Sequence, residues 1–424
     1  MANKKTTAKK AAKTAKKTAQ KHPKLVIAVV IILVIIIVAI ALLWYFKPDL
    51  FKNLFGNNDG DNPEAPLSGE EAEIAEAEYS IHFLELGNGD AGDCILIDCG
   101  DTEVLIDAGS AQNSAKTLKG YIDKYCTDGK LEYVITTHAD QDHIAAYYGS
   151  MDGGKRTGIL YQYEVGTVIK FARTNKDTQI YKNYMASLEL LKEAGTTVYT
   201  AEECYYEQGG AKRQYYLDEA QTLSINILYN YYYEHTSSDE NNHSVVTLLT
   251  KEASDGNKHY LFTGDLEKEG EEKMVEYYSK SSNSKSSYDI LPEVELYKGG
   301  HHGSKTSSNL VLIDVIKPKN VAVCCCAGSP EYTKNNLNTF PTQEMIDHVG
   351  KYTKNIYVTT LATDLPALDD KGEFVEKKWN YTSMNGNIVF YMKGGEFKLY
   401  CSNNDTILKE TEWFKQYRTW KGVD

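Results

Sequence analysis

Thr136-Thr137-His138-Ala139-Asp140-Gln141-Asp142-His143 follows a strand-like run, Leu131-Glu132-Tyr133-Val134-Ile135. Four metal-ligand side chains fall within six residues, where an apolar strand passes into a loop. Such a loop can aim imidazole and carboxylate groups at one point. Those ligand types suit zinc, manganese or iron, and the carboxylates shift the balance towards harder ions. Two such ions a few Å apart would supply a nucleophilic hydroxide near neutral pH. The plain alternative is a polar surface turn. It is disfavoured, because four such groups repel one another or waste hydrogen bonds unless a cation organises them.

Three further stretches carry compatible chemistry. Leu105-Ile106-Asp107-Ala108-Gly109-Ser110 and Leu261-Phe262-Thr263-Gly264-Asp265-Leu266 each put a carboxylate and a glycine at the end of an apolar strand. Taken singly, each is weak, since an aspartate beside glycine is most often a turn former. Gly299-Gly300-His301-His302-Gly303-Ser304-Lys305 sets two histidines in a glycine-rich turn, followed by a hydroxyl and a cation suited to an oxyanion.

Around these stretches, strand patterns alternate with helical ones. Strands are expected at Ser80–Leu86, Cys94–Ile97, Glu103–Ile106, Tyr133–Thr137, Thr196–Tyr199, Ser244–Leu249, Tyr260–Thr263, Asn320–Cys325, Asn355–Thr359 and Ile388–Met392. Helices are expected at Asn113–Tyr125 and at Tyr184–Ala194, the latter closed by Gly195. The domain class is therefore α/β. No internal repeat is visible.

The chain has 424 residues and a formal net charge of −13. Residues 1–24 hold nine lysines and no acid, so everything after them is more acidic still. A body of that charge repels polyanions, and any nucleic-acid contact must come from a local patch or from bound cations. Residues 25–46, LVIAVVIILVIIIVAIALLWYF, carry no charge over 22 residues, about 33 Å as a helix. They read as a transmembrane helix anchoring the chain in the membrane. Residues 1–24 form a basic cytoplasmic tail, and positive-inside bias places the rest outside the cell. This predicts a single-pass cell-membrane protein with an extracellular catalytic domain. Residues 47–78 read as an acidic flexible linker and residues 79–424 as the hydrolase domain.

Gly92-Asp93, Leu105–Gly109, His138–His143, Asn241–Ser244, Thr263–Asp265 and His301–Ser304 occur in this order across residues 79–310. In combination they resemble the metallo-β-lactamase superfamily, and within it the branch of the ComEC competence protein's extracellular domain. The resemblance implies an αββα sandwich with the site at one edge of paired sheets. It implies two divalent metal ions, Zn or Mn. His138 and Asp140 would hold the first, Asp142 and His143 the second, with Asp265 bridging. One of His301 and His302 completes the second site. His302 is the preferred ligand, leaving His301 for substrate, but sequence does not separate the two. Asp142 and His301 are the catalytic candidates. Asp107 is expected to brace the loop from behind the ligands. His243 is a candidate ligand because related chains often carry one at that strand start; a variable loop position is the plainer account. Ser304, Lys305 and Tyr147 are candidate substrate contacts. Asp140 stands where HxHxDH members carry histidine, which unsettles strict zinc use. The channel-forming part of ComEC has no counterpart here, so DNA import does not follow from the likeness.

Cys324-Cys325-Cys326 lies in an apolar strand, so its side chains alternate between faces and read as small buried hydrophobes. No Cys-x-x-Cys supports a zinc ribbon or a redox motif. The expected function is a metal-dependent hydrolase of phosphodiesters, in nucleic acid or a phosphorylated wall polymer, using a hydroxide held between two metals. The membrane is the expected partner through residues 25–46, nucleic acid is a candidate substrate, and no protein partner is defined. The alternatives are a noncatalytic DNA- or wall-polymer-binding module on the same fold, or a lactonase or esterase.

Overall fold

The computed structural model describes residue 67, residues 69–280 and residues 291–424. Two eight-stranded sheets carry the chain. In the first, the strand order is Glu396–Cys401, Ile388–Lys393, Tyr79–Phe83, Ile95–Asp98, Glu103–Ile106, Lys130–Thr136, Glu164–Lys170, Thr197–Thr200. In the second it is Asn380–Ser383, Ile356–Thr363, Val321–Ala327, Leu296–Lys298, Lys258–Phe262, Thr247–Lys251, Leu223–Ile227, Gln214–Tyr216. Both sheets are mixed. Glu103–Ile106 pairs parallel with Lys130–Thr136 and antiparallel with Ile95–Asp98, and Lys258–Phe262 pairs parallel with Leu296–Lys298 and antiparallel with Thr247–Lys251.

The period-two rule explains the layering. Ala322 and Cys324 pack with Ile81, Phe83 and Val104 between the sheets. Val321, Val323 and Cys325 face the other way, onto Ile313, Met345 and Trp413 from outer helices. Helices Ser114–Ile122, Gln141–Tyr148 and Gln179–Ala194 cover the outside of the first sheet through Leu118, Tyr147 and Tyr184. The result is helix, sheet, sheet, helix, as the αββα expectation had it. Cysteines 324–326 are all buried, Cys324 in the core between the sheets and Cys325 in the core under the outer helices, and all eight cysteines are free.

Helix Gln179–Ala194 shows how local sequence sets element ends. Thr178 caps its first turn by accepting from the Tyr181 N–H, and Gly195 closes it in the left-handed region at φ 107°. Strands Glu164–Lys170, Leu223–Ile227 and Leu296–Lys298 were not anticipated. Glu164–Lys170 and Leu296–Lys298 mix polar and apolar residues without clean alternation, whereas Leu223–Ile227 does alternate but is buried on both faces.

The expected membrane placement needs correction. Among the described residues no helix is long and apolar enough to cross a membrane. Residues 25–46, on which the single-pass, extracellular assignment rested, lie outside the described residues, as do residues 1–24 and most of the expected linker. Within that stretch the structure does show a short helix, Glu70–Ala75.

Candidate metal centre

The site forms where strand ends from both sheets meet. Strand Glu103–Ile106 delivers Asp107, and its parallel neighbour Lys130–Thr136 delivers His138 and the loop into helix Gln141–Tyr148. Main-chain bonds lock these pieces together. Asp93 N–H donates to Asp142 O at 3.1 Å, Ala108 N–H to His143 O at 2.8 Å and Gly109 N–H to Asp93 O at 3.0 Å. A Cβ on Gly109 would lie 1.5 Å from Asp142 O, so only glycine allows this approach. From the second sheet come Asp265, after strand Lys258–Phe262, and the His301-His302 turn after Leu296–Lys298. Both histidines have positive φ, 45° and 51°. Non-glycine residues hold that conformation only when their surroundings compel it.

Asp93, His143, Asp265 and His302 each offer one ligand atom, all within 4.8 Å of one another, and all four residues are buried. Asp265 Oδ2 lies 3.2 Å from both His143 Nε2 and His302 Nε2. Asp142 Oδ2 is 3.4 Å from His302 Nε2 and accepts from the Tyr332 hydroxyl at 2.7 Å. His138 Nε2 is buried with no hydrogen-bond partner, and 3.8 Å separates it from Asp140 Oδ2. Asp140 Oδ1 is paired with Lys176 Nζ.

Protonation states follow from burial and charge. Burial, aided by His143, pushes His138 down to about 3, leaving a neutral ring with a lone pair to offer. Burial also opposes charge on His143 and His302, but the surrounding carboxylates, Asp265 foremost, outweigh it and raise both. Convergent imidazoles and carboxylates with an orphaned, neutral nitrogen are what a divalent cation satisfies. The donor set of nitrogens and oxygens fits zinc or manganese.

Asp107 sits behind this set. It accepts from Thr137 N–H at 2.8 Å and the Thr137 hydroxyl at 2.6 Å, and lies 2.7 Å from His143 Nδ1. It therefore orients His143 from the side away from the ligand atoms. His301 lies at the rim. Its Nδ1 is 3.2 Å from Glu267 Oε1, and its Nε2 is 3.9 Å from Asp265 Oδ2. Above the cluster opens a pocket of about 390 Å³, whose wall includes Asp90, Asp140, Asp142, His301, Glu331 and Tyr332.

Four expected residues are placed elsewhere. His243 turns towards Ser237, whose N–H donates to its Nε2 at 3.2 Å, and towards Glu240. Tyr147 is fully buried, with its hydroxyl on Ile135 O, and cannot touch a substrate. Ser304 is held by Thr306, and Lys305 reaches Asn338 at the surface. Neither is part of the pocket wall. Tyr332, a residue sequence reasoning passed over, supplies the pocket's tyrosine instead.

Asp93 and Lys298 were also missed. Lys298 is fully buried, with Nζ 2.5 Å from Asp93 Oδ2, 3.1 Å from Asp265 Oδ1 and 3.0 Å from Gly264 O. Its signal was a lysine inside an apolar strand, which must find carboxylates if it is to be buried at all. The Gly92-Asp93 step is part of the motif series, but nothing local to it marks Asp93 as a ligand.

The metallo-β-lactamase superfamily model matches residues 87–149, which contain Asp93, Asp107 and the whole His138–His143 loop. The chain is 28% identical over 238 residues to ComE operon protein 3 of Bacillus subtilis (strain 168), a match covering 54% of this chain and 24% of that protein. It thus spans about a quarter of that relative's length. Among solved structures it is similar to the metallo-β-lactamase SMB-1, at 12% identity and a TM-score of 0.28, over 52% of this chain and 79% of that one. A Cronobacter sakazakii metallo-β-lactamase with a HARLDQ motif is similar at 16% identity and a TM-score of 0.24, over 44% and 60%. The family resemblance drawn from the motifs holds.

Proposed function

We propose that the metallo-β-lactamase superfamily domain of this chain is a divalent-metal-dependent hydrolase whose substrates are phosphodiesters. The observation that carries the proposal is the convergence of Asp93, His143, Asp265 and His302 under one pocket, beside the unpartnered His138 Nε2. His138, Asp140, Asp142, His143, Asp265 and His302, joined by Asp93, are the residues that would hold metal. When bound, a divalent ion supplies Lewis acidity and water activated near neutral pH.

The chain's own groups supply the rest. Asp107 keeps His143 in one orientation. Lys298 neutralises one oxygen each of Asp93 and Asp265, leaving Asp265 Oδ2 to face the Nε2 atoms of His143 and His302, and Asp93 Oδ1 to face His302 Nδ1. His301, partly exposed on the pocket wall, is placed to donate to a leaving group while Glu267 and Thr306 fix its ring from behind. Burial works against charge on Glu267, but His301 and further hydrogen-bonding neighbours hold it down at about 2, so it stays an acceptor.

Charge also weighs between readings. The pocket wall carries Asp90, Asp140, Asp142, Asp265 and Glu331 against one histidine. Without cations, that lining repels a phosphate. A noncatalytic module that grips DNA or another polyanion through this pocket alone is therefore disfavoured, whereas a cation-loaded site admits an anionic ester. A lactonase or esterase stays the second reading, since a carbonyl asks for the same Lewis acid. The test is hydrolysis of bis(p-nitrophenyl) phosphate, a simple ester and a lactone by the full chain with Mn²⁺ or Zn²⁺. Turnover of the phosphodiester that is lost in Asp142→Ala and in chelator supports the proposal. Ester or lactone turnover alone redirects it, and no metal-dependent turnover of any of the three ends it.

A further inference from the structure

A second group of ligand side chains lies at the opposite ends of the same two strands. Strand Glu103–Ile106 runs towards Asp107 and strand Lys130–Thr136 towards His138, in parallel. At their beginnings stand Glu103, and Cys126 and Asp128 from the turn that follows helix Ser114–Ile122. Each offers one ligand atom, and these lie within 4.8 Å of one another. Glu103 is 2% exposed and Cys126 3%. Glu103 Oε2 is buried with no hydrogen-bond partner.

The surroundings give that oxygen no cation. Glu132 Oε2 accepts from the Glu103 N–H at 3.1 Å, which sets a second carboxylate beside the first. The neighbouring lysine, Lys130, is committed to Glu132, with Nζ 2.6 Å from Oε1. Asp128 Oδ1 accepts from the Lys130 N–H at 2.8 Å, and the Cys126 thiol donates to Lys130 O at 3.0 Å. An ionised carboxylate buried without a partner costs several kcal/mol, so Glu103 must hold either a proton or a metal ion. Burial and the Glu132 carboxylate do push it up to about 9, which is the proton-holding form.

We propose that Glu103, Cys126 and Asp128 form a second, peripheral site for a thiophilic divalent cation of the zinc type. One sulfur and two carboxylate oxygens make three protein ligands, and exposed Asp128 gives the ion its way in. Loading releases the proton of the Cys126 thiol and the proton of the Glu103 carboxyl, so affinity rises with pH. The ion would pin the starts of the two strands whose far ends build the candidate centre.

This site is separable from that centre because its ligand set alone contains a cysteine. The experiment is titration of the full, reduced chain with Cd²⁺ or Co²⁺, read by thiolate-to-metal charge-transfer absorption in the ultraviolet. A band that saturates at one ion per chain and disappears in Cys126→Ser is the expected result. Glu103→Gln lowers the affinity behind that band at least about tenfold. Metal-free Glu103→Gln keeps or gains stability by denaturant melting, because it removes a buried acid set against the Glu132 carboxylate with no cation of its own. Absence of the band, its persistence in Cys126→Ser, or a loss of metal-free stability in Glu103→Gln overturns the proposal. None of these readouts depends on hydrolysis.

Discussion

Replacing Asp107 by asparagine separates the bracing of the metal ligands from the ligands themselves. One Asp107 oxygen accepts the Thr137 N–H at 2.8 Å, and the other takes the Thr137 hydroxyl at 2.6 Å and faces His143 Nδ1 at 2.7 Å. Asparagine tolerates the residue's positive φ of 60°, where alanine adds about 1 kcal/mol of strain. Its carbonyl keeps the Thr137 N–H bond. Its amide hydrogens then meet the hydroxyl and Nδ1, so His143 must offer Nδ1 as the acceptor and carry its proton on Nε2. That is the nitrogen turned towards Asp265 and His302, and a protonated nitrogen cannot bind metal. Two bonds to a charged acceptor are lost, worth about 1.5–3 kcal/mol each. Relief of a buried charge offsets part of that, since burial already raises the Asp107 pKa against the pull of His143. The net expectation is about 2–3 kcal/mol of stability in chelator. The Mn²⁺ or Zn²⁺ affinity should fall about 10–100-fold. Denaturant melts in chelator and calorimetric metal titration measure the two effects. An Asn variant whose metal affinity stays within about twofold of the parent refutes the bracing role.

Lys298→Met removes the only ammonium on Asp93 and Asp265 among the described residues, and should cost the metal-free protein about 3–5 kcal/mol, less when Mn²⁺ is present. Equal losses in the two melts would show that the lysine and the ion do not share those carboxylates. His243→Ala should leave metal stoichiometry and affinity unchanged, because its ring faces Ser237 and Glu240; loss of an ion in elemental analysis would return His243 to the ligand set. His82, buried between Ser80 Oγ and the Tyr121 hydroxyl, is pushed down to about 3 by burial. The unfolded chain takes up a proton there near pH 6.5 and the folded chain does not, so this stability is complete above about pH 6.5 and lost as pH falls towards 3. Between pH 7 and pH 5 the loss through this one group is about 2 kcal/mol. His82→Gln should flatten that slope in denaturant melts, and an unchanged slope would contradict the burial argument.

The local sequence was enough for what depends on local chemistry. Strand Glu103–Ile106, the helix closed by Gly195 and the His138–His143 loop were readable because period, caps and ligand spacing act over a few residues. The division of Cys324 and Cys325 between two cores likewise follows from the pleat of a single strand. Contacts between residues far apart in the chain were not readable. Asp93 and Lys298 are 205 positions apart in sequence, yet their charges meet at 2.5 Å. No spacing rule reaches that far, because the meeting depends on how two sheets stack. The direction of side chains in irregular turns was equally hidden. Tyr147 lies one helical turn from His143 and points into the core, while Tyr332 arrives from a distant loop to touch Asp142. A motif determines which ligand types are at hand, since that is a matter of covalent order. Which of them share a cavity, and which lysine already neutralises them, is decided by packing, because charges bury only where the whole fold brings their partners within reach.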